Sequence, residues 1–193
     1  MNIIIPMAGR GTRLRPHTLT TPKPLIKLAG KTIVQRLVEE ISASFEEAID
    51  NIGFVVGDFG TEVEKDLIKI AENLGANGHI FYQDRPLGTA HAVLCAEKIM
   101  TGSCVIAFAD TLFKSDFNIN KSADGTIWVK QIDDPSSFGV VKLDNNIITD
   151  FVEKPDVFVS DLAIIGIYHV KDSSILKNEI EFLIDNNIKD KGE

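Results

Sequence analysis

A chain of 193 residues, 44% hydrophobic and 25% charged, is long enough to bury a core and has the composition of an ordinary globular protein. Its net charge of -8 and pI near 5.0 exclude a general nucleic-acid or anionic-membrane surface, which requires clustered lysine and arginine, so any anion site must be local. No basic flank leads into an apolar signal-like segment and no apolar run approaches a membrane span, so a cytoplasmic protein is expected.

The elements alternate along the first half. Residues Ile3 to Pro6 read as a short buried strand, and Thr32 to Phe45 carries Ile33, Val34, Leu37, Val38 and Ile41 at helical spacing. A strand is expected at Ile52 to Val56, then an amphipathic helix over Glu62 to Leu74 with Gly75 placed to end it. His79 to Tyr82 reads as a strand, Thr89 to Met100 as a helix, and Cys104 to Ala109 as a continuous apolar strand. This βαβα rhythm implies a parallel sheet covered by helices on both faces. The second half changes character: Thr126 to Gln131, Gly139 to Leu143, Ile147 to Glu153 and Ala163 to Val170 are strands with short turns such as Asp144-Asn145-Asn146. They suggest antiparallel additions to the sheet, closed by a helix from Ser173 to about Asn186. With no repeat, low-complexity tract or linker, one domain spanning 1–193 is expected, with a change of character near residue 111.

Four segments carry chemistry. Pro6-Met7-Ala8-Gly9-Arg10-Gly11-Thr12-Arg13-Leu14-Arg15-Pro16 directly follows the first strand, where open α/β sheets bind ligands. Gly9 and Gly11 let backbone N–H groups form an anion-holding concavity; Thr12, Arg13 and Arg15 add donors. The spacing is neither GxGxxG nor GxxxxGK[ST], and by itself a tight turn with solvated arginines explains it about as well. Lys23 stands between Pro22 and Pro24, which fix its backbone. Gln83 to Ala92 links a strand to a helix, and Asp110 follows the apolar run Cys104 to Ala109, placed to hold a metal.

In this order the segments resemble the sugar-phosphate nucleotidyltransferases, the group containing glucose-1-phosphate thymidylyl- and uridylyltransferases. That family opens close to LAGGxGTRLxPxT followed by a lysine, which Pro6 to Thr18 and Lys23 match, with Ala8 where the pattern has its first glycine. Gln83 to Ala92 resembles the family's base-reading loop, Asp110 its first metal carboxylate, Phe138-Gly139-Val140-Val141 its sugar-side strand and Glu153-Lys154-Pro155 its EKP motif. The resemblance implies a Rossmann-like three-layer α/β/α fold with a mixed, mainly parallel sheet, of the nucleotide-diphospho-sugar transferase type, with a nucleotide-binding half at 1–111 and an incomplete sugar-phosphate-binding half at 112–193. It also implies transfer of a nucleotidyl group from a nucleoside triphosphate, dTTP or UTP favoured, to a sugar 1-phosphate, with release of pyrophosphate. In that reading Ala8, Gly9, Gly11, Thr12 and Arg13 hold the triphosphate, and Gln83, Gly88 and Thr89 line the base site. Arg13, Lys23 and Asp110 are the catalytic set, Asp110 binds Mg²⁺, and Gly139, Glu153 and Lys154 take the sugar phosphate. Family members run on past a KGE-like segment to a second metal-binding aspartate; here the sequence stops at Lys191-Gly192-Glu193, so the expectation is either a truncated chain or a metal shell completed by another group or by the substrates' own phosphates.

Plainer readings stand beside these. Arg10 is more simply a solvated cation, Glu153-Lys154 alone a surface ion pair at a strand end, and Asp133-Asp134-Pro135 a turn. His17, His79, His91 and His169 lack metal-ligand spacing and are assigned structural roles, His91 packing near the nucleotide. Cys95 and Cys104 read as reduced, buried thiols. A catalytically silent nucleotide-sugar binding module and a choline-phosphate cytidylyltransferase-like enzyme are the alternatives. No nucleic-acid or membrane partner is expected, and a homo-oligomer is left open.

Overall fold

The computed structural model describes residues 1–9, 11, 14–114, 119–120 and 122–188. Strand β1 (Asn2–Pro6) is buried along its whole length because the Ile3-Ile4-Ile5 run feeds both faces of the sheet. Ile3 and Ile5 join one core with Val34, Leu37, Val38 and Ile41, whereas Ile4 joins another with Val93, Ala96 and Ile180. A period of two in the strand thus builds a three-layer molecule.

The first layer consists of α1 (Ile33–Ser44) and α2 (Thr61–Glu72), the last of α3 (Thr89–Leu94) and α4 (Ser173–Asp185). Helix α1 starts where the Thr32 hydroxyl accepts the Gln35 N–H at 3.2 Å, a cap that contributes about 1 kcal/mol. Helix α2 ends at Glu72 with Asn73 as its C-cap, two residues short of the expected Leu74, and Gly75, with φ 78° in the left-handed region, closes the turn that follows.

Strands β4 (Asn51–Val56) and β5 (Asn77–Tyr82) extend the sheet from one side of β1, and β6 (Cys104–Ala107) flanks its other side; these four are parallel. The remainder is antiparallel. Strand β10 (Leu162–Val170) pairs with β6, with β7 (Gly125–Gln131) and with β8 (Gly139–Asp144), and β8 turns back into β9 (Ile147–Glu153) through Asn145 and Asn146, both at positive φ. The order is β5-β4-β1-β6-β10-β8-β9, with β7 on the opposite edge of β10; a two-stranded ribbon of β2 (Lys27–Leu28) and β3 (Lys31–Thr32) precedes α1.

Two other boundaries move for reasons in the fold. The strand expected to reach Ala109 ends at Ala107, because Phe108 gives its N–H to Gly166 O, exposed by a bulge in β10 where Gly166 has φ 79°. The helix expected to reach Met100 breaks after Leu94 into a 3-10 turn at Glu97–Ile99; the tighter winding buries Ala96, Ile99 and Met100 together.

Candidate active site

Because β1, β4, β5 and β6 are parallel, their carboxyl ends share one sheet edge, and the loops leaving them form a single cleft. The cavity there measures about 570 Å³, a size suited to a small organic ligand. Its lining includes Ala8, Gly9 and Gly11 after β1, Lys23, Gln83 after β5, Gly88 and Thr89 at the head of α3, and Asp110 after β6. Eight residues read from sequence as nucleotide, metal or catalytic groups therefore meet in one place. Thr12 and Arg13 lie outside the described residues.

The β1 loop returns over itself. Gly11 has φ 58°, and a Cβ there would come within 3.0 Å of Lys23 Cβ and 3.2 Å of Thr18 Cγ2, so glycine is required by both conformation and contact. The Thr18 hydroxyl donates to Gly11 O at 2.7 Å, and Leu14 N–H donates to the same carbonyl at 3.0 Å. Lys23 opens a short 3-10 turn, Lys23–Leu25, behind the extended Pro22, with Pro24 buried beneath it. Its ammonium stands 3.5 Å from Asp110 Oδ2, joining the β1 loop to the end of β6.

Gln83 is held by the sheet and by the helix that follows. Its N–H donates to Val56 O at 2.9 Å, and its side-chain Nε2 donates to Gly88 O at 3.1 Å and stands 3.2 Å from His91 Nδ1. Gly88, with φ 102°, turns the chain into α3 in a conformation that favours glycine. In the order β5-β4-β1-β6, Gln83 and Asp110 follow strands three spacings apart, about 14 Å at roughly 4.8 Å per strand. Ala8, Gly9 and Gly11 lie between them, so one edge offers an amide, a glycine-rich loop, an ammonium and a carboxylate.

Among the described residues Asp110 is the one acidic side chain in this lining, and no group of three or more His, Cys, Asp or Glu is arranged around a point. It is largely exposed to the cleft, and Thr111 Oγ1 donates to its Oδ1 at 3.3 Å. Magnesium commonly takes one or two carboxylates and completes its shell with substrate phosphates and water, and a single exposed aspartate fits that mode.

Gly139, Glu153 and Lys154 come together elsewhere, at the end of the β8–β9 hairpin, and are not part of the lining just described. Gly139 pairs with Glu153, and Lys154 N–H donates to Phe138 O at 3.1 Å. Lys154 Nζ stands 3.1 Å from Glu153 Oε1, and the lysine has φ 42°, uncommon for a residue with a side chain. The ion pair anticipated as the plain reading is thus present, on a backbone that turns sharply at the lysine.

Sequence reasoning passed over His91 as a packing residue and gave no weight to Phe108 or Leu14, which line the cleft. The position of His91, in the first turn of a helix that begins at the Gly88-Thr89 corner, was the available signal: helical side chains lean back toward the N-terminus, here toward Gln83.

The chain is similar to known proteins. The chain is 35% identical over 186 residues to the bifunctional protein GlmU of Methanococcus maripaludis, covering 92% of this chain and 42% of that protein. It is also 35% identical over 188 residues to the mannose-1-phosphate guanylyltransferase catalytic subunit beta of Drosophila melanogaster, covering 92% and 50%. The chain therefore spans about half the length of these relatives or less. Among solved structures, an apo UDP-glucose pyrophosphorylase superposes with a TM-score of 0.77 at 23% identity, covering 100% of this chain and 82% of that one. A UDP-glucose pyrophosphorylase complexed with UDP-glucose gives 0.76 at 22% identity, covering 93% and 78%. At those identities the two structures speak for the fold, the mixed sheet between helical layers. The model of the family described as nucleotidyl transferase matches residues 2–190, and the chain belongs to that family.

Proposed function

We propose that this chain transfers a nucleotidyl group from a nucleoside triphosphate, UTP or dTTP before others, to a sugar 1-phosphate and releases pyrophosphate. The observation that carries the reading is the Lys23–Asp110 pair at 3.5 Å in the cleft that Gly9, Gly11 and Gln83 also line. In-line attack of one phosphate on another concentrates negative charge, and catalysis consists mainly of positioning and neutralisation. Lys23 supplies a cation between the glycine loop and the end of β6, suited to bridge the attacking phosphate and the α-phosphate. The backbone of Gly9 and Gly11 would hold the triphosphate, with Thr12 and Arg13 as further donors. Gln83 offers an amide to a base, and Glu153, Lys154 and Gly139 would receive the sugar 1-phosphate, the lysine taking the phosphate and the glutamate the hydroxyls. Mg²⁺, held by Asp110 and the substrates' own phosphates, would neutralise charge developing on the transferring group.

The test is pyrophosphate release from UTP, dTTP, GTP and CTP, each with a panel of hexose 1-phosphates, with and without Mg²⁺. Turnover that requires Mg²⁺ and favours UTP or dTTP is expected. Nucleotide binding without turnover for every pair would replace the enzyme with the binding-module reading.

A further inference from the structure

The Gln83 side-chain amide is held by two neighbours. Its Nε2 donates to Gly88 O at 3.1 Å, which can only accept, so Nε2 rather than Oε1 must face it; Nε2 also stands 3.2 Å from His91 Nδ1. That contact is a hydrogen bond only if Nδ1 accepts, which requires neutral His91 with its proton on Nε2. Cys95 Sγ lies 3.9 Å from the same Nδ1, and burial first, with the Asp84 carboxylate second, raises the pKa of its thiol. With Nε2 turned toward Gly88 O and His91 Nδ1, no described residue donates to Oε1, and the cleft side of Gln83 can act as an acceptor.

We propose that His91 is a positioning residue that fixes the Gln83 amide so that its carbonyl, not its NH₂, meets the base, making this cleft selective for bases with a ring N–H. Uracil, thymine and guanine carry such a proton on the pairing edge, whereas cytosine and adenine present a bare ring nitrogen there, which would face Oε1 lone pair to lone pair. Without Nδ1 the amide has one anchor and can rotate about its last bond to offer NH₂ instead. The proposal rests on reading Gln83 as the group that meets the base. One hydrogen bond gained against one repulsion sets the scale at about tenfold in affinity.

Two substitutions oppose ring volume to acceptor chemistry. His91→Phe keeps the ring and loses Nδ1; His91→Asn loses the ring and keeps an acceptor oxygen near the place of Nδ1. Equilibrium binding of UTP, dTTP, GTP, CTP and ATP to the full chain is measured by titration calorimetry, with thermal unfolding as the folding control. Expected are a preference of about tenfold for the first three over CTP and ATP in the unmodified chain, its retention in His91→Asn and its loss in His91→Phe. Retention in His91→Phe, equal loss in both folded variants, or no preference in the unmodified chain would overturn the proposal. Because the readout is binding, the expected pattern without turnover removes the proposed reaction and leaves the positioning role, while turnover with discrimination intact in His91→Phe does the reverse.

Discussion

Lys23 and Gly139 illustrate how single residues in this molecule separate stability from chemistry. The Lys23 ammonium meets a carboxylate that is 61% exposed, and such pairs contribute about 0–1 kcal/mol. What the fold needs from Lys23 is its Cβ, which sits beneath the Gly11 turn and which alanine retains. Lys23→Ala is therefore expected to leave the melting temperature within a few degrees while lowering turnover by about 10²–10³-fold, the loss of one charge-stabilising group. Paired calorimetry and pyrophosphate assays check both halves, and unchanged kinetics would remove Lys23 from the mechanism. At Gly139 an added Cβ would lie 2.7 Å from Glu153 Oε2, the far end of a flexible side chain. Gly139→Ala should thus fold normally but push the Glu153 carboxylate aside, raising KM for the sugar 1-phosphate more than KM for the nucleotide. Equal effects on both constants would count against a sugar-side role for this corner.

At the level of elements, alternating periodicities made nearly every strand and helix legible, because each buries a face whose spacing is written in its own residues. The exceptions share a cause. The β2–β3 ribbon is two residues wide, and the early end of β6 depends on a bulge in β10 some sixty residues away, so neither leaves a local pattern. The site divides the same way. The glycine loop, Lys23, Gln83 and Asp110 follow strand ends and could be read from chain order, whereas the His91 contact is a matter of side-chain direction. Where Gly139, Glu153 and Lys154 stand relative to the cleft is likewise set by hairpin geometry. Packing between elements also assigns glycines that no motif marks. Gly78 in β5 lies under α2, where an added Cβ would meet Ile68 Cα at 2.9 Å, Ile68 O at 3.1 Å and the Ala71 methyl at 3.2 Å. Backbone cannot yield as a side chain does, so Gly78→Ala should lift α2 from the sheet at a cost of about 1–3 kcal/mol. For a protein of this size that is a fall of roughly 3–10 °C in thermal unfolding, with the Lys23 chemistry unaltered in the folded fraction.

For the molecule as a whole, the response to pH is governed by where charge is buried. His169 in β10 is 8% exposed; its Nε2 lies 3.1 Å from the Ser103 hydroxyl, its Nδ1 has no partner among the described residues, and the Phe45 ring is 6.0 Å away. Burial lowers its pKa from the usual 6.5, opposed by the weaker pull of Glu47. The unfolded chain then takes up a proton at a pH where the folded chain does not, so stability is full above about 6.5 and declines as the pH falls from there toward the folded value. Carboxylates act lower. Hydrogen bonds from Lys31 to Glu39, from Ser136 to Asp134 and from Ser174 to Asp172 hold those groups below their usual 4.5 and 3.8, so the stability they contribute is lost near and below pH 4. Between pH 6.5 and 5 the imidazole is left as the group to follow. His169→Gln places an amide oxygen near the position of Nε2, keeps a partner for Ser103 and cannot titrate. Melting temperatures measured from pH 8 to 5 should fall below 6.5 in the unmodified chain and stay flatter in His169→Gln. Parallel curves would show that the buried imidazole does not set the acid limit of the fold.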